Sequence, residues 1–310
     1  MNTKKTGTVR ELFSTLGRTD KIQEILMILP MFIGFCLFVV YPIFWIIRWA
    51  WFNYDGFTTP IFVGFDNFAR AFMRDPAFWM ALGNTAFIAG FKLILEIPIA
   101  VVLAAILSRK IRFSTLFRTS FFLPTVFSIA VVGLIFSIMF GSFNGVINEY
   151  LRALGLITRN VNFLGVKWNA MFVIVLVSLW TTFGLNMIYF LMGLQNIPKS
   201  LYECAEIDGA NSVQQFFGIT IPMIAPVMQL VIMLSVLYTI RMTDLILVLT
   251  NGAPGGSTEV VMTYIFKFFF QYGESQARTQ YGYASAMAVI TAIILGVMTF
   301  MYLHISRKMK

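Results

Sequence analysis

Six long apolar segments divide the chain, running roughly over 25–51, 82–107, 116–140, 170–193, 221–249 and 284–305. Each can supply the about 20 apolar residues that a helix needs to cross a bilayer. None alternates residue by residue as an outer-membrane strand would. The pattern therefore predicts an all-α integral membrane protein with six transmembrane helices over 25–306. Polar tails cover 1–24 and 307–310. Pro30, Pro42, Pro98 and Pro124 fall within or at the edge of spans, where neighbouring helices satisfy the freed carbonyls. The segment over 141–167 has room for a short helix, and Gly252-Ala-Pro-Gly-Gly-Ser257 reads as a tight turn.

One polar stretch interrupts this pattern, Ile197 to Pro226, with its loop over 197–220. Ser200 and Glu203 have the spacing of a capping box, and Gly209 is a natural stop. Ser212 and Gln215 repeat the box. The expectation is a short exposed helix ending near Asp208, a Gly209-Ala210 turn and a second helix leading back into the membrane. Two roles fit such a segment, a lever for a partner or a plain connection.

Composition supports the membrane reading. Charged residues are 12% of the chain, hydrophobic residues 58%, and mean hydropathy is +0.80. Soluble domains carry about 25% charged residues. The net charge of +9 forms no single patch, so nucleic acid is not an expected partner. Thirteen Lys and Arg fall in the two tails, the turn holding Arg109, Lys110, Arg112 and Arg118, and Lys199, against seven in the opposite loops. The positive-inside rule then puts both termini and the polar stretch in the cytoplasm. Cys36 and Cys204 lie in different environments and suggest no disulfide, and no metal-ligand spacing exists. His304 reads as an interfacial residue rather than a catalytic base. No G-x-x-x-x-G-K-[ST] phosphate loop is present, so any ATP hydrolysis belongs to another chain.

Polar residues inside the spans are the candidate chemistry. Ser178, Thr182, Asn186 and Tyr189 share one helical face of the fourth segment. Ser235, Thr239 and Met242 share one of the fifth, with Tyr238 adjacent, and Thr125 and Ser128 lie near Pro124. Hydroxyls and amides beside aromatic rings suit a sugar, although Ser and Thr also serve close helix packing. Lys92 and Glu96 are four residues apart and placed to pair. Arg241 and Asp244 are three apart, open to a gate, a substrate contact or a structural ion pair.

Glu203-Cys204-Ala205, Asp208-Gly209-Ala210, Phe217, Ile221-Pro222 and Pro226 resemble the EAA loop of binding-protein-dependent ABC importer permeases. Phe62-Val-Gly-Phe-Asp-Asn-Phe68, Asn84-Thr85 and Thr250-Asn-Gly-Ala-Pro254 resemble signatures of its maltose and glycerol-phosphate subfamily. Cys204 stands where the loop usually has alanine, and Ala253 where the turn has glycine. The resemblance covers nearly the whole chain after residue 25. It implies a permease in a bacterial cytoplasmic membrane, paired with a second similar permease. Two ATP-binding cassette subunits, which hold ATP and Mg, would dock from the cytoplasm, and an extracellular binding protein would deliver solute. No cofactor is implied for this chain itself. Leu201, Cys204, Ala205 and Ile207 would enter the ATPase groove, with Ser200 and Glu203 closing the helix start. Matching onto the family's sugar site places Ser178, Thr182, Leu185, Ser235, Thr239 and Met242 at or near it. The competing reading is an ion- or proton-coupled secondary transporter, for which Glu96 and Asp244 would be the titratable groups.

Overall fold

The computed structural model describes residues 23–109, 111–270 and 279–308. The tail over 1–22 and the last two residues lie outside them, and so do the expectations that rest on those residues. Four helices are long and apolar enough to cross a membrane: α1 (Gln23–Trp49), α3 (Pro76–Ser108), α7 (Lys167–Gln195) and α13 (Tyr281–Lys308). Two bent pairs complete the set and raise the number of candidate spans to six if each pair is one span. The first pair is α4 (Ser114–Val126) with α5 (Ile129–Met139), bent by 94°. The second is α9 (Ser212–Met223) with α10 (Ala225–Ile240), bent by 67°. Short elements fill the connections: α2 (Asp66–Ala69), α6 (Val146–Ala153), α8 (Lys199–Ile207), α11 (Asp244–Leu249) and α12 (Val261–Phe269). The all-α expectation needs one amendment. Phe52–Asn53 (β1) and Ile61–Phe62 (β2) pair antiparallel in the loop after α1.

Proline accounts for the two bends, because each ring removes a backbone donor and crowds the preceding turn. Pro124 stands at the start of a 3-10 turn over Leu123–Val126, and extended backbone at Phe127 and Ser128 follows. Pro226 sits in the first turn of α10, just after Ile224 leaves helical geometry. The third and fifth apolar segments, each read from the sequence as one span, are thus broken helices. Pro98 behaves differently and lies inside an unbroken α3. Pro42 lacks an N–H for Phe38, and the turn before it widens so that the Tyr41 N–H reaches the Cys36 carbonyl.

The helix α7 is the axis of the packing. Of its membrane-length window 61% is buried, against 33% for α3 and none for α1. Its apolar residues run all round, as a helix enclosed by others requires. Val173, Ile174 and Val177 meet Ile88 of α3, Val132 of α5 and Leu245, Ile246 and Leu249 of α11. Towards its other end, Met187 and Phe190 meet Ala100 and Ala104 of α3, with Ile224 and Val231 from the second bent pair. A third cluster joins Phe78, Val261, Ile265, Tyr283 and Met287.

Polar contacts fasten the loops that precede and follow these spans. Asn67 donates to the carbonyls of Ala50 and Phe52 at 3.0 Å each, which closes the end of α1. Asn84 donates to the carbonyls of Ser257 and Glu259 at 2.8 Å, and the Thr85 hydroxyl accepts from the Val261 N–H at 2.9 Å. The expected turn forms over 250–258, with Gly252 at φ +79° beside Glu259. Asp75 caps α3 by accepting from the Phe78 N–H at 3.2 Å. Its carboxylate also takes the hydroxyls of Tyr264 at 2.8 Å and Tyr283 at 2.5 Å. Burial, and then this bond to Asp75, push the Tyr264 phenol well above its usual range. The short helix expected between 141 and 167 is α6, and Asn148 ties it to the carbonyls of Gly141 and Val161.

Gly184 shows how tightly the first bent pair seats on α7. A methyl group there would lie 1.8 Å from the Phe121 carbonyl oxygen, a backbone atom that cannot step aside alone. Gly184→Ala should therefore lower stability by about 1–3 kcal/mol. The expected result is a clear fall in melting temperature of the detergent-solubilised protein, with Gly296→Ala, where nothing lies within 4 Å, as the control.

Candidate functional site

The polar stretch folds as two short helices joined by a tight turn. Helix α8 starts two residues earlier than a Ser200 cap would set it. Pro198, extended at ψ 130°, is the cap residue, and no side chain closes the start. Ser200 is already helical and the third position after Pro198 falls on Leu201, so the predicted Ser200–Glu203 box does not form. The predicted stop holds. Gly209 adopts φ +79°, its N–H bonds the Glu206 carbonyl at 3.0 Å and the Ala210 N–H bonds the Ala205 carbonyl at 2.9 Å. These are the paired bonds of a Schellman end.

The second box forms one residue earlier than predicted. The Asn211 side chain accepts from the N–H groups of Val213 and Gln214, at 3.1 and 2.9 Å. The Gln214 side chain accepts in return from the Asn211 N–H at 2.8 Å. Adjacent glutamines at 214 and 215 allow either register, and asparagine caps at least as well as serine. Gln215 instead donates to the Ala210 carbonyl at 3.1 Å.

Leu201, Glu203, Cys204, Ile207 and Asp208 are exposed on α8, with Ala205 and Ala210 half-buried. Ile207 is 86% exposed, a large apolar side chain left bare on a polar helix. Tyr202 was not singled out by the sequence, yet its hydroxyl meets that of Thr220 at 2.9 Å and fastens α8 to α9. Its position on the inner face of α8 was the available signal.

The polar residues of the spans gather around a buried carboxylate. Lys92 and Glu96 are fully buried on α3, with Nζ and Oε2 3.7 Å apart, as their spacing suggested. Thr182 of α7 donates to Glu96 Oε1 and Ser235 of α10 donates to Oε2. The Thr239 hydroxyl donates to the Ser235 carbonyl at 2.9 Å, and the Thr125 hydroxyl to the Thr181 carbonyl at 2.9 Å. Ser178, Thr182, Asn186, Ser235 and Thr239 are buried, Leu185, Tyr189 and Thr125 half-buried, and Ser128 exposed. The hydroxyls of Thr125, Thr182, Ser235 and Thr239 are thus engaged within the subunit.

A cavity of about 340 Å³ lies beside this network, where α10 stops and α11 begins. Tyr238, Arg241, Met242 and Asp244 line it among the predicted residues. Ile129, Leu234, Leu237, Thr243 and Leu245 complete the wall and were not foreseen, because no periodic signal marks a helix break. Arg241 and Asp244 do not share a helix. The chain leaves helical geometry at Arg241, so the three-residue spacing brings no pairing, and neither side chain is in an ion pair among the described residues. Both remain exposed at the cavity.

Comparison with known proteins agrees with this architecture. Residues 96–310 match the family described as binding-protein-dependent transport system inner membrane component. The chain is 32% identical to the arabinooligosaccharides transport system permease protein AraP of Bacillus subtilis, over 99% of this chain and 98% of that one. It is also 32% identical to the lactose transport system permease protein LacF of Rhizobium radiobacter, over 96% and 98%. The fold is shared with a chain of a bacterial alginate ABC transporter solved with its alginate pentasaccharide-bound periplasmic protein. That match has a TM-score of 0.80 at 24% identity, over 96% of this chain and 97% of the other. Long apolar helices with two bent pairs, a capped polar loop between α7 and α10, and full-length likeness to permeases all carry one conclusion: the chain belongs to the family of inner membrane components of binding-protein-dependent transport systems.

Proposed function

We propose that this permease works as one of a pair in an ATP-driven importer of sugars. In this reading each bent pair is one span, giving six, with both termini in the cytoplasm. Helix α8 is the docking element for an ATP-binding cassette subunit, and ATP and Mg reside in two such subunits. An extracellular binding protein delivers the solute to the outer side. The observation that carries the reading is the bare apolar face of α8, Leu201, Cys204 and Ile207, on a helix closed by Gly209 and fastened to α9 through Tyr202. A helix of this kind transmits force only if it is rigid at both ends, and this one has a Schellman end and a proline start. Sugar is the solute class that the curated relatives' names and the cavity's composition favour. The wall offers an aromatic ring, Tyr238, with one cationic and one anionic side chain, Arg241 and Asp244, whose charges cancel.

Three outcomes follow from this reading. In cells lacking the ATPase subunit, Cys204 should react with a membrane-impermeant maleimide in inside-out vesicles and stay unlabelled in intact cells; the opposite pattern would reverse the proposed orientation. Ile207→Asp, or Gly209→Pro, which forces a proline onto φ +79°, should leave membrane levels unchanged. Each should cut uptake roughly tenfold or more, as loss of a central apolar anchor does, and should abolish stimulation of ATP hydrolysis by the loaded binding protein. Uptake that survives loss of the ATPase but collapses with the proton gradient would favour secondary transport instead. For the cavity, Tyr238→Ala and Asp244→Asn should raise the solute concentration for half-maximal uptake; unchanged values for both would remove the cavity from the pathway.

A further inference from the structure

Lys92 and Glu96 have no part in docking or in the cavity surface, yet both are fully buried near the middle of α3. Ionised side chains at such depth are costly, and in membrane proteins they are kept where they perform a task. We propose that Glu96 is the positioning residue for the cavity wall: it sets the register of α10 through Ser235, and Lys92 is the counter-charge that makes this carboxylate tolerable. The proposal rests on reading the cavity as the pathway.

The geometry of the fork supports it. One carboxylate oxygen takes Thr182 of α7 and the other takes Ser235 of α10. No cavity residue lies on α7, so the fork ties the cavity helix to the central helix. Apolar surfaces repack after a slip along a helix, but a charged hydrogen bond does not, and buried polar groups are best attested as devices that fix register. Ser235 is on the last full turns of α10 before it ends at Ile240. Leu234, Leu237, Tyr238 and Arg241 face the cavity from the same turns. Rotating or sliding this stretch by one residue would carry them off the wall by about 100°. The Thr239 hydroxyl on the Ser235 carbonyl stiffens the same turns.

Lys92 braces the arrangement from a second direction. Its Nζ lies 4.7 Å over the ring of Tyr238 and has no hydrogen-bond acceptor among the described residues. The carboxylate and the ring are therefore its compensation, a cation held by an ion pair and an aromatic face. A simple helix glue would need neither a fork to two helices nor a contact with the cavity's tyrosine.

Cysteine accessibility tests the register directly, in the chain's own membrane with its partners present. In a Cys36→Ser/Cys204→Ser background, Leu234→Cys and Leu237→Cys report the cavity face, and Val231→Cys and Ile240→Cys the buried face. A charged methanethiosulfonate applied to both sides of membrane vesicles should label the first two and spare the second two. Adding Ser235→Ala should shrink that contrast roughly tenfold, the worth of one charge-assisted buried hydrogen bond. Thr182→Val should leave it in place, because the α10 arm survives. Lys92→Met/Glu96→Leu should lose the contrast and Lys92→Met/Glu96→Gln should keep it, since an amide serves both hydroxyls without charge. If the charge-removing pairs fail to insert, Ser235→Ala and Thr182→Val decide alone. Full contrast in Ser235→Ala, even with reduced stability, would overturn the proposal. No labelling of either cavity position in the parent would overturn the open cavity itself, and the proposal with it.

Discussion

A bilayer core offers no hydrogen-bond partners, so every polar group placed there must be satisfied by the protein. The rest of this structure depends on how that constraint is met at Glu96. One carboxylate from α3 collects a hydroxyl from α7 and a hydroxyl from α10 and is neutralised by Lys92 one turn away. Three helices that touch mostly through apolar side chains acquire one fixed point. Apolar packing supplies most of the contact between α3 and α7, but Val, Ile, Met and Ala surfaces alone leave several registers close in energy. The polar fork distinguishes among them.

The polar loop proposed for docking reaches the same fixed point through a short and stiff train. Helix α8 is closed by Gly209 and bonded to Thr220 through Tyr202. Thr220 belongs to α9, whose start is locked by the reciprocal Asn211–Gln214 bonds. Helix α9 runs into α10 through the Pro226 bend, and α10 ends at the Ser235–Thr239 turns beside the cavity. Each joint is either a capped helix end or a proline bend, and neither absorbs displacement as a glycine-rich linker would. A push on α8 and a change at Tyr238 are thus mechanically adjacent, although a whole span separates them.

Much of this was legible in the sequence, for reasons that can be named. Hydropathy marks the spans because lipid-facing and core-facing positions are both apolar. Gly209 was readable because an αL residue after a polar helix has few alternatives. The pairing of Lys92 with Glu96 followed from four-residue spacing. Other features were hidden by degeneracy. Asn211 and Ser212 are both good caps followed by a glutamine three residues on, so the register of α9 was undetermined by one. Pro198 gave the start of α8 away from Ser200 only once its extended geometry was seen. Pro98 and Pro124 look alike in sequence, yet one sits in an unbroken helix and the other in a 94° bend. The difference lies in what surrounds each ring, which local pattern does not encode.

The span hydroxyls carry the deeper lesson. A serine or threonine on a helix face can bond its own helix, a neighbouring span or water, and periodicity fixes the face without choosing among the three. Here Thr239 bonds its own helix, Thr125 and Ser235 bond neighbours, and Thr182 lies within reach of both Glu96 and its own Ser178 carbonyl. The Ser178 hydroxyl in the intact α7 has no hydrogen-bond partner among the described residues, while Arg241 and Asp244 stand unpaired at a break. Where α10 stops, the backbone of Arg241–Thr243 leaves the helical ladder, and the charged side chains of Arg241 and Asp244 lie exposed at the cavity. There, side-chain charge, freed backbone and open volume coincide. The hydroxyls of the intact helices go mostly to holding the bundle together, so the charged side chains left exposed collect where a helix ends.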